Sequence, residues 1–294
     1  MTLTYREIDV PDGLHAGIWE PAGEPVGTVV AIHGVTSSHL AFAAVARALP
    51  EYRVVAPDLR GRGKSNHLAG PYGMARHADD VKSLLDHLGI ERALPLGHSM
   101  GAFVSLVLAD RHPGLTDRLV LIDGGIPLEL PEGISSDESI AAILGPAATR
   151  LSMTFPTREA YQQLWRGHPA FAHLWNADVE AYADYDLAGT EPNLKPATAY
   201  EALAEDTIDL GRADGDLIHA IDHLAVPALL LQAERGILDQ PEGLYRDDYL
   251  AEWAPRVPQL TVRKIADVNH YTIVFDAAGI AAIAASVTLS DRQP

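Results

Sequence analysis

Ser99 sits in the stretch Gly97-His98-Ser99-Met100-Gly101, between the apolar run Leu94-Pro95-Leu96 and a helical pattern. A serine hydroxyl is a weak nucleophile until a base takes its proton. G-x-S-x-G at a strand-to-helix turn serves that chemistry. The glycines keep side chains out of a tight turn, and the hydroxyl projects above the sheet. The helix that follows begins with unpaired N–H groups, Met100's among them, where an oxyanion would develop. The motif alone recurs by chance; its place between strand and helix gives it meaning.

The base must come from the 13 histidines. His77 and His87 flank an acidic helix and are expected to face solvent. His168, His173, His219 and His223 fall in or beside a long helical stretch. His98 reads as a packing residue beside the turn. His270, in "ADVNHYTIVFD", follows the last strand and precedes the last helix, at the sheet edge where Ser99 lies. It is the candidate base. The second oxyanion donor belongs in the loop after an earlier strand. "AIHGVTSSH" ends one: Gly34 permits a sharp turn, the Val35 amide is the candidate donor, and His33 reads as a structural hydrogen-bonder.

The elements that must position these residues follow from periodicity. Tyr5 to Val10 and His15 to Glu20 read as strands around the turn cluster Pro11-Asp12-Gly13. "GTVVAIHG", "YRVVAPDL", "RALPLGHS" and "RLVLIDGG" are continuous apolar runs of the kind found in buried parallel strands. Helices are predicted between them: Ala41 to Leu49, Asp79 to Leu88 with Gly89 as its cap, and Ala102 to Asp110. Strand and helix in alternation mean βαβ units and a parallel sheet. From about Ile126 to Leu224 the pattern turns helical and aromatic (Phe155, Tyr161, Trp165, Phe171, Trp175, Tyr182, Tyr185). The sheet pattern then resumes with "VPALLLQA", a helix over Asp247 to Trp253, "QLTVRKIA" and a closing helix over Asp276 to Ala285. The expected organisation is a core of residues 1–126 and 225–294, interrupted by a helical cap over 127–224.

The composition excludes several classes. The 294 residues carry a net charge of −18, which argues against nucleic acid as a partner. The chain contains 0 cysteines, so disulfide scaffolds, thiolate metal sites and cysteine nucleophiles are excluded. No signal-peptide core or membrane-length apolar run is present, and a cytoplasmic location with no membrane partner is expected. "DLRGRGKS" lacks the first glycine of a phosphate loop, since Asp58 stands there, and Asn66 replaces the third glycine of a dinucleotide fingerprint. No cofactor and no metal are indicated.

Taken in order, His33-Gly34, "DLRGRGKS", "GHSMG" and Asn269-His270 resemble the α/β-hydrolase fold superfamily over nearly the whole chain. The resemblance implies an α/β fold: an eight-stranded, mostly parallel sheet with helices on both faces and a helical cap after the sixth strand. It implies Ser99 as nucleophile, His270 as base, and the Val35 and Met100 amides as the oxyanion hole. The acid that fixes the histidine tautomer is less plain. Many relatives place it after the seventh strand, where "LLLQAERGILDQ" puts Gly236 at the acid's place, Asp239 later and Glu234 earlier. Others use the end of the sixth strand, which here is Asp123 in "LIDGG". Asp123 is preferred, with Asp239 as runner-up.

The expected reaction is acyl transfer to water on a small, largely apolar ester or lactone. Carbon–carbon bond hydrolysis of a diketone-type substrate is an alternative with the same three residues. A non-catalytic ligand-binding protein on the same fold is another. Relatives that open epoxides or haloalkanes carry aspartate where Ser99 stands, which disfavours those reactions.

Overall fold

The computed structural model describes residues 3–11, 13–128, 146–210 and 215–288. Parts of the expected insertion, 129–145 and 211–214, lie outside the described residues, as do 289–294 of the expected core.

Eight strands form one sheet in the order β1-β2-β4-β3-β5-β6-β9-β10. They are β1 (Thr4–Asp9), β2 (His15–Glu20), β3 (Thr28–Ile32), β4 (Arg53–Pro57), β5 (Leu94–His98), β6 (Leu119–Ile122), β9 (Ala228–Arg235) and β10 (Leu260–Asn269). β1–β2 and β2–β4 pair antiparallel, and the other neighbours are parallel. The eight-stranded, mostly parallel sheet is therefore as expected. A two-stranded ribbon, β7 (Leu187–Ala188) with β8 (Lys195–Pro196), lies in the insertion, where no strand was expected. At two residues each, these strands are too short for a period-two pattern to show.

The continuous apolar runs are explained by burial on both faces. Alternate residues of one strand enter different cores: Val30, Ile32, Leu121 and Leu230 join one cluster, while Val29, Ala31, Val120, Ile122 and Leu231 join the other. The first cluster is covered by α2 (Met74–His87), α3 (Met100–Arg111), α8 (Asp216–Asp222) and α9 (Asp247–Trp253). The second is covered by α1 (Ala43–Arg47) and α10 (Ala277–Thr288). Between β6 and β9 run α4 (Pro146–Leu151), α5 (Arg158–Arg166), α6 (Ala177–Tyr185) and α7 (Tyr200–Leu210). Of the aromatic stripe, Phe155, Tyr161, Trp165, Phe171 and Tyr182 are buried together and pack against Phe275 and Tyr271. The stripe is part of the second core cluster, continuous with that face of the sheet.

Two expectations need correction. α2 begins at Met74, ahead of the predicted Asp79. No capping residue precedes it: Gly73 stands there with φ 105°. The first turn is capped from far along the chain instead. Asp206 accepts from the Gly73 amide at 2.7 Å, and Asp209 accepts from the Met74 amide at 2.7 Å. His77 is fully buried rather than solvent-facing, because its Nε2 meets the same Asp206 carboxylate at 3.0 Å. Arg62, equally buried, closes the group with Nη2 at 2.6 Å from Asp206. Burial pushes the Asp206 pKa up, but His77, Arg62 and the Gly73 amide outweigh it and hold the group down at about 2.

Candidate active site

Four strands deliver the candidate residues from their carboxyl ends. β3 ends one residue before His33, β5 before Ser99, β6 before Asp123 and β10 before His270. In an open parallel sheet that edge is where ligands bind.

The turn at Ser99 is strained. Ser99 adopts φ 55° and ψ −124°, a region costing on the order of 1–3 kcal/mol for a residue with a side chain. The flanking glycines make the turn fit. A Cβ on Gly97 would lie 2.1 Å from the Gly101 carbonyl oxygen, and one on Gly101 would lie 1.9 Å from that of Ile32. The Ser99 N–H donates to Ile122 O at 2.9 Å, so the ladder between β5 and β6 continues to the serine itself.

His270 Nε2 is 3.0 Å from Ser99 Oγ, and His270 Nδ1 is 2.7 Å from Asp123 Oδ2. Asp123 is fully buried and held at both ends: its N–H donates to Leu231 O at 2.8 Å, and its Oδ1 accepts from the Ala233 N–H at 3.0 Å. Its φ of 44° is one that aspartate tolerates better than most residues. Ser99, His270 and Asp123 thus form one continuous chain of hydrogen bonds.

Asp239 does not reach the imidazole. Its Oδ1 accepts from Asn269 Nδ2 at 2.9 Å and pairs with Arg235 Nε at 2.8 Å. Glu234 accepts from the Asp267 N–H at 2.8 Å. Asn269 in turn shapes the loop that carries His270, since its Oδ1 accepts from the Tyr271 and Thr272 amides. A register shift in β10 between Ile265 and Asn269, with Asp267 at φ 59°, bends the strand just before the histidine.

Two further histidines brace the site as neutral rings. His98 Nε2–H donates to the His270 carbonyl at 2.8 Å, and the two rings lie 5.0 Å apart. Burial, aided by the nearby His270, pushes the His98 pKa down to about 3. His33 Nδ1–H donates to Gly34 O at 2.7 Å while Nε2 accepts from the Leu59 N–H at 2.9 Å, which fixes a single neutral tautomer. Burial pushes its pKa down to about 4, Asp58 opposing. Gly34 O belongs to the peptide whose N–H is that of Val35, so His33 orients and polarises that donor. Arg62 Nε holds the next carbonyl, Val35 O, at 2.9 Å. A Cβ on Gly34 would lie 3.1 Å from Ser99 Cβ, which measures how closely this loop approaches the serine. As first residue of α3, Met100 has an N–H with no intrahelical acceptor.

Ser99 and His270 open into a narrow cleft lined mostly by apolar groups such as Phe103, Leu244 and Phe275. Tyr182, Thr207 and Leu210, from α6 and α7, close it from the insertion side. Sequence reasoning missed the supporting set of Arg62, His77 and Asp206. An arginine after "DLRG" was its only signal. No helix among the described residues is long and apolar enough to cross a membrane.

A 3-hydroxybutyrate-oligomer hydrolase of Cupriavidus necator is 35% identical over 148 residues, covering 49% of this chain and 49% of that protein. A 2-(acetamidomethylene)succinate hydrolase of Mesorhizobium japonicum is 26% identical over 81% of this chain and 80% of its own length. The crystal structure of E-2-(acetamidomethylene)succinate hydrolase superposes with a TM-score of 0.76 at 22% identity, over 98% of both chains. The chain spans 31–49% of the length of relatives that match it at 34–36% identity. A family model for the alpha/beta hydrolase fold matches residues 27–277, most of the sequence. The chain belongs to the alpha/beta hydrolase fold family.

Proposed function

We propose that the protein is a serine hydrolase that cleaves a carboxylic ester or lactone of a small, largely apolar substrate through an acyl-enzyme. The observation that carries this reading is the hydrogen-bond chain from Ser99 Oγ through His270 to Asp123, opening into an apolar cleft.

In this reading Ser99 Oγ attacks the substrate carbonyl while His270 Nε2 takes its proton. Asp123, acceptor from Nδ1–H, holds the imidazole in the tautomer that leaves Nε2 free and stabilises the imidazolium. The Val35 and Met100 amides receive the oxyanion; donors of this kind are typically worth ~3–4 kcal/mol each. The imidazolium then protonates the leaving alkoxide, and the acyl group remains on Ser99. His270 next deprotonates a water that attacks this ester, and the serine leaves with the proton returned. The half-buried serine stands in a cleft lined by apolar side chains, which favours charge stabilisation by these fixed dipoles over bulk water. Residues 127–224 act as a cap over the core of 1–126 and 225–294, and Tyr182, Thr207 and Leu210 supply its substrate-facing surface.

The test is labelling with a fluorophosphonate. Wild type is expected to label at Ser99, Ser99→Ala not at all, and His270→Ala far more slowly. A wild-type protein that binds apolar esters without labelling or turnover would overturn the reading in favour of a binding protein.

A further inference from the structure

Away from the Ser99 cleft, two buried histidines on separate elements turn their Nε2 atoms toward one carboxylate. His15 lies on β2 and His39 in the 3-10 turn after β3; they are 2% and 0% exposed. Each ring is fixed through its other nitrogen. His15 Nδ1 bonds Asp9 Oδ1 at 2.8 Å, and His39 Nδ1 bonds Asp58 Oδ1 at 2.9 Å. With Nδ1 carrying the proton, both Nε2 lone pairs face inward. Glu7, on the exposed strand β1, offers its carboxylate to the same point, and the three ligand atoms lie within 4.8 Å of one another. A carboxylate behind each imidazole is the outer arrangement that orients metal-binding histidines and raises their basicity.

Counted with both rings neutral, the cluster holds more lone pairs than protons. His15 Nε2 is buried with no hydrogen bond, although Glu7 Oε2 is 3.3 Å away. The Tyr5 hydroxyl stands 2.8 Å from both Glu7 Oε1 and His39 Nε2, and its single proton can serve only one of them. Charge points the same way. With the rings neutral, Glu7, Asp9 and Asp58 bring three negative charges here, and Lys64 pairs with Glu7. A dication would satisfy the orphaned nitrogen and balance that excess.

We propose that Glu7, His15 and His39 form a binding site for a borderline dication, Zn2+ in the first place, with water or the Tyr5 oxygen as fourth ligand. Two imidazoles and one carboxylate suit Zn2+ better than Mg2+ or Ca2+, which prefer all-oxygen sets. On binding, Glu7 exchanges Lys64 for the metal, and the lysine, already half exposed, turns to solvent. The ion ties the edge hairpin of β1 and β2 to the loop after β3. That hairpin lies at the end of the sheet, so the site is a clip on the fold and takes no part in the acyl chemistry.

The experiment uses the full chain without an affinity tag, stripped of metal by chelation. Calorimetric titration with Zn2+ is expected to show one strong site per chain. Co2+ is expected to give the visible absorption of a four-coordinate N/O site, and added Zn2+ to bleach it. The apparent melting temperature should rise with Zn2+ concentration, as it does for any ligand of the folded state alone. Glu7→Gln, a change at an exposed position, and His15→Gln are each expected to weaken binding tenfold or more. The stacked pair His219 and His223, 4.1 Å between ring centres, is another place where a divalent ion could settle. A His219→Ala/His223→Ala variant should therefore keep the strong site. No Zn2+ binding by the stripped protein, binding untouched by Glu7→Gln and His15→Gln, or binding lost with His219 and His223 would each overturn the proposal.

Discussion

Acid should loosen this protein through two buried rings beside Ser99 and His270. His33 and His98 are buried as neutral imidazoles with pKa values pushed from 6.5 down to about 4 and about 3. In the unfolded chain each binds a proton near pH 6.5; in the folded chain each refuses it until far lower. A depressed folded value means stability that is fully present above 6.5 and drains away as pH falls toward the folded value. At pH 5 the unfolded chain has gained about 1.5 pH units of protonation free energy per ring, at about 1.4 kcal/mol per unit. That is a loss of about 2 kcal/mol for each ring and about 4 kcal/mol for both, a large share of the ~5–15 kcal/mol that holds a typical domain together. His168, whose pKa burial and Arg150 also lower, acts in the same direction. A variant is therefore needed to isolate one ring. His98→Gln keeps an N–H that can donate to the His270 carbonyl and removes the titration. Urea unfolding at pH 8 and pH 5, followed by tryptophan fluorescence, should show the wild-type loss shrinking by about 2 kcal/mol in the variant. An identical drop in both proteins, or no drop in wild type, would refute the reasoning.

Asp123→Asn should reduce turnover of a short-chain nitrophenyl ester by about a thousand- to ten-thousandfold by presenting the wrong partner to Nδ1, while Asp239→Asn, at a carboxylate engaged by Asn269 and Arg235, stays within about tenfold; equal losses would reverse the assignment. Gly101→Ala puts a methyl group 1.9 Å from Ile32 O, and chemical denaturation should show a loss of about 3 kcal/mol or more, or no folded protein at all. Arg62→Met takes the arginine from the buried Asp206 carboxylate, leaving it His77 and the Gly73 amide, and frees Val35 O, so about 3–5 kcal/mol of stability should go; adding Asp206→Leu should restore part of it, and a purely additive double variant would argue against coupling.

The fold was legible because its strands are buried on both faces. Such strands appear as unbroken apolar runs, and helices with clean 3.6-residue spacing separate them. The Ser99 turn was legible for a similar reason, as local backbone geometry demands glycine at 97 and 101. Asp123 and Asp239 could be ranked but not separated in the sequence, because both stand after strands that reach the same edge. What sets them apart in the structure is orientation: Asp123 points at His270 Nδ1, whereas Asp239 is engaged by Asn269 and Arg235. What stayed hidden were groups held across long separations. The start of α2 carries no cap of its own, because Asp206 and Asp209 supply it from the insertion. His77 looked solvated beside acidic neighbours, yet it is buried against that same Asp206. Glu7, His15 and His39 carry no spacing signal, because three different elements bring them together.

These distant contacts change what the inserted segment is. Were α4 to α7 a hydrophobic flap laid over the sheet, the whole segment could lift at the cost of some apolar area. But α7 places Asp206 in a fully buried group with Arg62 and His77, and Arg62 also holds the Val35 carbonyl beside Ser99. Lifting α7 would unpair a buried arginine and release the loop that carries a candidate oxyanion donor, a loss on the order of 3–5 kcal/mol for the ion pair alone. Substrate entry by that route would dismantle the site it serves. α6 is tied to the core as well, since Tyr185 donates to the buried Asp58 carboxylate at 2.6 Å and Asp178 pairs with Arg47 at 2.5 Å. The same ion group that sequence reading overlooked thus makes α7 a fixed part of the fold rather than a flap that lifts.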